Sequence, residues 1–413
     1  MSRRIGLVCV LATISAVLLC SQARAGAPEW PQWRGPERTG VSTETGLLKE
    51  WPTAGPAKIW TTTGLGEGYS GISVKDGRIY TMGASDGGDA VIALDFKTGK
   101  QLWATKTSDK VFNDGRGNGP RCTPTCDGSV LYAEDAFGNV VCLEAATGKQ
   151  LWKIALTDLG GKRPNWGFAE SPLVLGNALI VTPGGRGGAI AALDKKTGKL
   201  IWQSKEVTTG AAYSSPVYAE LGGKKQIIQG LAARLVSVDA TNGKLLWDMK
   251  NGMADIYCTT PVVAGDVVVG TSGYNKGTGA MRVNAQGAQS AWFEPSFGNH
   301  HGGVVLVGGY LYGLFDGGRG SELKCVDPKT GKVVWSNGSV GKGSLTCADG
   351  MLYLLSEGNT VGLAEATPDG YKEHGRFKIP KSGKPSWAHP VVVNGCLFIC
   401  DQDTLTCYDV KGR

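Results

Sequence analysis

The sequence predicts an all-β protein, an eight-bladed β-propeller with four-stranded antiparallel blades. The first observation is a repeated segment, which reads Ala-Leu-Asp-Phe-Lys-Thr-Gly-Lys-Gln-Leu-Trp at residues 93–103. It recurs along the chain, and its closing tryptophans stand 49, 50, 45, 45 and 43 residues apart between Trp103 and Trp335. The second observation is that short apolar runs and tight turns fill each period. Strands and turns repeated at this spacing are typical of a propeller.

The N-terminus has the pattern of an export signal. Arg3 and Arg4 precede an apolar stretch that ends at Leu19 and is too short to span a membrane comfortably. Small residues around Ala25 provide a cleavage site. We therefore expect residues 1–25 to be a signal peptide and the protein to be exported to the periplasm or cell envelope.

The charge of the chain argues against a nucleic-acid partner. The formal charge is +7, and loss of the signal, with its three arginines and no acids, lowers it to about +4. Most basic residues lie in the repeated turns, where they form a solvated surface rather than a track for phosphates. We also expect no transmembrane segment in the mature chain. A lipid anchor at Cys20 is not expected, because Leu19 stands where lipoprotein signals need a small side chain.

The mature chain divides into a lead-in segment, residues 26–56, and the propeller, residues 57–413. Each repeat contains four apolar runs, which in one copy cover residues 171–175, 178–182, 189–193 and 200–202. The last copy has only three such runs, and the segment Ala57–Thr62 matches the missing fourth strand. We predict that this N-terminal strand closes the ring, because closure removes exposed sheet edges. We expect a monomer.

The repeated residues are predicted to be structural. The glycine of each Thr-Gly-Lys turn takes a positive φ, and each tryptophan offers a flat surface on which the neighbouring blade docks. Cys142, Cys325 and Cys407 occupy the same slot of the repeat as Ala93, which indicates a small buried strand position. The tryptophans assigned to this docking layer are Trp60, Trp103, Trp152, Trp202, Trp247, Trp292 and Trp335.

The pattern Ala-x-Asp-x-x-Thr-Gly-Lys-x-x-Trp, at residues 93–103 and 192–202, resembles the repeat of the PQQ-like (pyrroloquinoline-quinone) propellers. The resemblance covers residues 57–413, and Trp30–Pro36 looks like the lead-in that precedes such propellers. It implies an eight-bladed ring with docking tryptophans. The family includes quinoprotein alcohol dehydrogenases and the non-catalytic propeller lipoprotein of the outer-membrane β-barrel assembly machine. The resemblance therefore leaves the activity open.

Residues just before the inner strand of each blade form the candidate ligand site. Such residues lie at the mouth of the central channel, and they are unlike the rest of the chain, since they include three of its four histidines. Polar groups with aromatic walls are typical of ligand sites, although a wet channel also needs polar lining. The candidate residues are Arg121, Trp166, Glu170, Tyr213, Tyr257, His300, His301, Lys342, Trp387 and His389.

No metal site and no catalytic residue are assigned. His300 and His301 are adjacent on an extended chain and should point to opposite sides. The long polar loop at residues 104–121 is predicted to form a lid over the mouth.

Three functions remain open at this point. The favoured one is an exported binding or scaffold protein, with an envelope protein or a small-molecule or carbohydrate ligand as its partner. The second, implied by the resemblance, is a dehydrogenase that uses PQQ with calcium. The chain has no adjacent Cys-Cys pair and no recognisable calcium-ligand motif, and both features belong to the catalytic members of the family. The third is an outer-membrane protein assembly factor.

Overall fold

A computed structural model describes residues 29–85, 87–115, 117–250, 253–317 and 320–412. The predicted signal peptide and Cys20 lie outside these ranges. Within them the structure is almost entirely β, with a single 3-10 turn at Leu156–Leu159. None of the described segments forms a helix long and apolar enough to cross a membrane.

The strands form eight sheets, each built on four antiparallel strands. Two strands precede the first complete blade, β1 (Val41–Ser42) and β2 (Lys58–Thr62). Blade 1 contains β3 (Ser73–Lys75), β4 (Arg78–Ser85), β5 (Gly88–Asp95) and β6 (Gln101–Lys106), and blade 2 contains β7 (Thr125–Asp127), β8 (Val130–Glu134), β9 (Asn139–Glu144) and β10 (Gln150–Ala155). Blade 3 contains β11 (Leu173–Leu175), β12 (Ala178–Val181), β13 (Ala191–Asp194) and β14 (Leu200–Gln203), and blade 4 contains β15 (Val217–Leu221), β16 (Lys224–Leu231), β17 (Arg234–Asp239) and β18 (Leu245–Met249).

Blades 5 to 8 follow the same order, and the last lacks a fourth strand of its own. Blade 5 contains β19 (Val262–Ala264), β20 (Val267–Ser272), β21 (Gly277–Asn284) and β22 (Gly287–Glu294), and blade 6 contains β23 (Phe297–Gly298), β24 (Val304–Val307), β25 (Tyr310–Gly317), β26 (Gly320–Val326) and β27 (Val333–Asn337). Blade 7 contains β28 (Gly343–Ala348), β29 (Met351–Ser356), β30 (Thr360–Glu365) and β31 (Glu373–Lys378), and blade 8 contains β32 (Val391–Val393), β33 (Cys396–Asp401) and β34 (Thr404–Asp409). The short strand β23 is an addition that pairs with β25.

The N-terminal strand closes the ring, as predicted. Strand β2 pairs antiparallel with β34, so that the first and last parts of the propeller share blade 8. Trp60 lies opposite Cys407 in this pairing. The predicted eight blades and their tryptophan-docking repeats are both confirmed.

Each docking tryptophan lies opposite a small residue, and a glycine of the next blade meets five of the seven indoles. Trp103 lies directly opposite Ala93, and the register shifts by one residue just after this pair. Cys142 holds the equivalent place opposite Trp152, which confirms that this slot is small and buried. Gly148, in the turn of the next blade, has φ +74°, and a Cβ there would lie 2.5 Å from Cε3 of Trp103. Only glycine allows this indole to dock so closely.

The lead-in segment fills the central channel, which the sequence did not predict. We call residues 29–48 the plug. Its side chains and backbone bond the inner region of every blade through the following pairs: Trp30 with Val74, Pro31 with Cys126, Arg38 with Pro172 and Pro216, Trp33 with Thr260, Arg34 with Val304, Val41 with Cys347, and Ser42 with Val392. The channel is therefore closed by the protein itself.

The plug enters and leaves through the same face of the ring. Glu29 forms an ion pair of 2.8 Å with Lys75, at the turn that follows the inner strand of blade 1. Glu44 accepts hydrogen bonds of 2.8 Å from the backbone N–H groups of Asn394 and Gly395, in the corresponding turn of blade 8. We call this the lower face. Trp33 lies between these points in sequence and reaches the opposite, upper face.

All nine cysteines of the described ranges are free thiols. Burial raises the pKa of Cys126 and of Cys400 to about 12. Because the thiolate is the reactive form, these side chains act as small apolar core residues.

Candidate functional site

A cavity of about 400 Å³ lies at the upper end of the plugged channel. We call it the upper cavity. Its volume falls within the range of roughly 300–1,000 Å³ that is usual for ligand pockets. Six aromatic side chains line it, namely Trp33, Tyr69, Trp166, Tyr213, Tyr274 and Trp387.

The structure brings six of the ten predicted site residues into this lining, namely Arg121, Trp166, Tyr213, His300, His301 and Trp387. They come from five blades, with both histidines in blade 6, as expected for residues that precede inner strands. The other four, which do not line it, are Glu170, Tyr257, Lys342 and His389. A ligand-binding role for the ten residues stays a prediction.

Alternation along the extended chain explains why two predicted residues point away. Ala169 and Ser171 line the upper cavity, and Glu170 between them is turned into the protein, where it is only 3% exposed. Likewise Cys258 lines the cavity, while Tyr257 is buried in the hydrophobic core that joins blades 4 and 5. Neighbouring residues of an extended segment face opposite sides, so only one of each of these pairs reaches the mouth.

His300 and His301 do not follow the rule of alternation. The chain bends there, both side chains line the cavity, and the expectation that they point to opposite sides is wrong.

Lys342 and His389 lie next to the cavity rather than in it. The Nζ atom of Lys342 is 3.1 Å from Nδ1 of His300 and 3.7 Å from a carboxylate oxygen of Asp316, which places the ammonium group beside the cavity. His389 stacks against Trp33 with ring centroids 4.6 Å apart. Because Trp33 lines the cavity, its indole separates His389 from any ligand.

Two pairs of aromatic rings lie on opposite sides of the ring of blades. Trp166 and Tyr213 precede the inner strands of blades 3 and 4, and their centroids are 5.6 Å apart. Tyr69 and Trp387 belong to blades 1 and 8, and their centroids are 4.4 Å apart at an interplanar angle of 31°. Blade 8 lies across an eight-bladed ring from blade 4, so the two pairs form facing walls. The plug supplies the floor through Trp33.

The wall around Tyr69 continues as a row of rings. Its members in order are Tyr69, Trp387, His301, His300 and Tyr274, with neighbouring centroids 4.4, 5.5, 5.2 and 4.8 Å apart. The floor is fixed independently, because Nε1 of Trp33 donates a 2.8 Å hydrogen bond to Oγ1 of Thr260. These contacts hold the aromatic lining in one arrangement without a ligand.

Arg121 connects the predicted lid loop to the lining. Its guanidinium donates to the carbonyl of Gly119 at 2.9 Å and to Oδ2 of Asp114 at 3.1 Å. It also lies over the rings of Tyr69 and Phe112, 5.4 Å from each centroid. Burial lowers the pKa of Arg121, and Asp114 partly offsets this effect. Arg121 therefore holds the loop against the aromatic wall as a paired cation.

The two adjacent histidines are neutral. Burial, followed by the charge of Lys342, lowers the pKa of His300 to about 4. Burial also lowers the pKa of His301 well below its ordinary value. Both ring nitrogens of His301 are buried and have no hydrogen-bond partner among the described residues, since the nearby Glu357 oxygen is 3.6 Å away. No group of three or more His, Cys, Asp and Glu side chains in the described ranges is arranged to hold a metal ion.

A buried pair of carboxyl groups lies behind the lining. One oxygen of Glu170 accepts a 3.2 Å hydrogen bond from Nε2 of Gln229, while neither oxygen of Glu134 has a partner in the described structure. Burial raises the pKa of Glu170 to about 8, against an opposing effect of Arg38. Burial and then Glu170 raise the pKa of Glu134. Glu170 is therefore largely protonated at neutral pH, and neither carboxyl lines the cavity.

Sequence reasoning missed Trp33, Asp114 and Tyr274. Trp33 comes from the plug, and Tyr274 comes from a loop between the second and third strands of blade 5. Neither precedes an inner strand, so the rule that found Trp166 and Trp387 could not find them. Asp114 pairs with Arg121 in the structure. Its place in the loop predicted as a lid was the one signal in the sequence that could have pointed to it.

Comparison with known proteins identifies relatives of two kinds. Residues 114–337 match the family model described as outer membrane protein assembly factor BamB. A protein of that name from Xanthomonas campestris pv. campestris is 32% identical over 108 residues, which are 22% of this chain and 26% of that protein. The chain thus spans about a quarter of this curated relative.

Solved structures share the fold. BamB from Moraxella catarrhalis superposes with a TM-score of 0.63 at 15% identity, covering 87% of this chain and 99% of that one. The quinohemoprotein alcohol dehydrogenase from Comamonas testosteroni also gives 0.63 at 15% identity, covering 94% and 82%. At such low identity the likeness concerns the fold alone.

Proposed function

The chain belongs to the family described as outer membrane protein assembly factor BamB, and from that premise we propose that it is an exported propeller of the cell envelope that acts by binding. Its ligand site is the upper cavity. The observation that carries this proposal is that the cavity is lined by aromatic rings on facing sides and closed below by Trp33 of the plug.

The apolar walls of the cavity favour a binding site over ordinary channel lining. A channel that only holds water needs polar walls, whereas Trp166, Tyr213, Tyr69 and Trp387 present large apolar surfaces. Apolar cavities with a few fixed polar groups are the usual sites for small ligands. Since the rings are held by each other and by the plug, little ordering is required when a ligand binds.

The residues present do not suit PQQ with calcium. Calcium takes six to eight oxygen ligands, largely carboxylates and carbonyls. The only carboxylate among the described lining residues is Asp114, and it is paired with Arg121 at 3.1 Å. Glu170 faces away. We therefore derive no redox step, and we expect purified protein given PQQ and calcium to show neither bound-cofactor absorbance nor alcohol-dependent dye reduction.

An envelope protein is a second candidate partner, as the family description suggests. Aliphatic side chains at equivalent places in four consecutive blades are about half exposed on the outer strands, namely Ile59 (51%), Leu102 (48%), Leu151 (50%) and Ile201 (53%). Each immediately precedes a docking tryptophan. Repeated exposed apolar residues of this kind favour a protein contact, although some apolar exposure is normal on any surface.

Small-molecule retention tests the main proposal. The protein is incubated with a metabolite extract of the envelope, desalted and examined by native mass spectrometry. We expect a bound species in the wild type that is lost in Trp387→Ala and in Tyr213→Ala. Tyr218→Ala, on an inner strand away from the upper cavity, is the control and should retain it. Absence of any retained molecule in folded wild-type protein would refute a ligand site at this cavity.

Crosslinking tests the second candidate. Leu151→Ser with Ile201→Ser should abolish a crosslink to a single envelope protein, whereas Trp387→Ala should leave it unchanged. A crosslink that survives the outer-strand changes would place the contact elsewhere.

A further inference from the structure

The upper cavity carries no net charge. Its lining has one cation and one carboxylate among the described residues, Arg121 and Asp114, and these form an ion pair of 3.1 Å with side chains only 11% and 5% exposed. An anionic ligand would have to compete with Asp114 for the guanidinium, and breaking a buried ion pair is costly. The neighbouring ammonium group of Lys342 is already balanced by Asp316 and Glu357. The lining therefore favours an uncharged ligand.

The same cavity offers hydrogen-bonding groups that need a polar ligand. The hydroxyl of Tyr213, which lines the cavity, accepts a 3.3 Å hydrogen bond from the backbone N–H of Trp166 and keeps its own proton to donate. Nδ1 of His300, another lining residue, lies 3.1 Å from the ammonium group of Lys342, so its Nε2 carries the ring proton and can donate as well. Leaving such groups unpaired beside a bound apolar molecule costs free energy. Hydroxyls, which both donate and accept, are the ligand groups that match this set.

We infer that the upper cavity binds a neutral saccharide of one or two rings. The apolar C–H faces of a sugar ring pack on aromatic side chains, and the facing pairs Trp166–Tyr213 and Tyr69–Trp387 provide such surfaces on both sides. The sugar hydroxyls then accept from Tyr213 and His300. This inference rests on the proposed ligand site and adds the class of ligand.

Isothermal titration calorimetry with defined sugars tests the inference. The probes are glucose, cellobiose and N,N′-diacetylchitobiose, with glucuronic acid as the anionic counterpart of glucose and PQQ as a planar anionic ring system. We expect saturable binding of at least one neutral sugar and binding of glucuronic acid that is weaker by about tenfold or more. Trp387→Ala should weaken sugar binding by about tenfold, and Trp387→Phe, which keeps a ring, should restore most of it.

Tyr213→Phe, which keeps the ring, adds a readout of the hydroxyl contact. It should weaken the neutral sugar by about tenfold without improving glucuronic acid. A second outcome is that PQQ binds, with an affinity that falls in Trp387→Ala, while no sugar binds. In that case the cavity is a site for another class of ligand, and the saccharide inference is wrong. If no probe binds and no metabolite is retained from the envelope extract, both the inference and the proposed ligand site fail. A sugar that binds equally well to wild type and to Trp387→Ala also overturns the inference.

Discussion

The docking layer and the upper cavity use the same side chain for different purposes. Trp60 of the docking layer meets Gly99 of the next blade so closely that a Cβ there would lie 2.6 Å from Cε3 of the indole. Trp387 at the mouth stacks on Tyr69, yet it also lines the cavity. Both tryptophans are half-buried. In the first region the protein itself covers the ring, and in the second it leaves aromatic surface for something else to cover.

This difference separates stability from binding. Docking tryptophans recur from blade to blade, and a glycine of the next blade meets five of the seven indoles, so their contacts are the repeated interfaces between blades. The tryptophans at the mouth do not recur, since two come from different blades and Trp33 comes from the plug. A residue that holds the ring together should change unfolding when it is removed, whereas a residue that faces a ligand should change binding instead.

Trp60→Ala should have the largest effect on stability. It removes the contact that joins blade 8 to blade 1 and the hydrogen bond from Nε1 to the carbonyl of Phe96, at the point where the ring closes. We expect a loss of about 3 kcal/mol in the free energy of unfolding, as for other buried aromatic truncations. Urea denaturation followed by circular dichroism measures it.

Trp387→Ala is the matched control for this loss. It removes an indole of similar burial that packs on Tyr69 and His301, donates from Nε1 to Glu357 at 2.8 Å and otherwise faces the cavity. Because no interface between docked blades is lost, the free energy of unfolding should fall by only about 1 kcal/mol. Equal losses in the two variants would show that the mouth tryptophans are also structural, and the contrast between the two regions would then collapse.

Much of the fold could be predicted because its determinants are local and repeated. In blade 3, the runs predicted at 171–175 and 178–182 became β11 and β12, although β11 begins two residues later. The strand begins just after Pro172, as the inner strands of blades 2, 4, 5 and 8 begin just after a proline, because proline has no N–H to give to the ladder. The plug itself could not be predicted, because its partners are mainly backbone groups scattered over all the blades.

The candidate site was predicted only to the level of chain position. The rule that site residues lie just before an inner strand found residues near the mouth. It does not predict which side of the chain each residue faces. Glu170 and Tyr257 therefore entered the prediction, while Ser171 beside the first of them lines the cavity. Long-range contacts decide the rest, as for Trp33, which reaches the mouth only because the plug turns there.

The buried carboxyl behind the mouth predicts a dependence of stability on pH. The pKa of Glu170 rises from 4.5 to about 8 on folding, so the folded state favours the protonated form. Its contribution is fully present below pH 4.5 and is lost as the pH rises through 8. Glu170→Gln, which stays neutral and can still accept from Gln229, should be more stable than the wild type by on the order of 2 kcal/mol at pH 8.

The difference should shrink towards zero at pH 4.5, which urea denaturation across pH 4.5–9 can follow. Glu37→Gln is the control, because it makes the same change at a carboxyl that is exposed in the folded protein. A constant difference between Glu170→Gln and the wild type at every pH would mean that packing rather than ionisation separates them.

The smallest predicted effect comes from comparing two glycines, which separates the docking of the indole from the strain of the backbone. Gly148 and Gly176 lie in turns with φ of +74° and +60°, so alanine is strained at both, by about 1 kcal/mol. Beyond this, a Cβ at residue 148 would meet the Trp103 indole at 2.5 Å, whereas one at residue 176 would meet nothing within 4 Å. Gly148→Ala should therefore lose about 1 kcal/mol more than Gly176→Ala, with a matching change in Trp fluorescence. Identical losses would mean that backbone strain alone requires the glycine, and that indole docking does not select it.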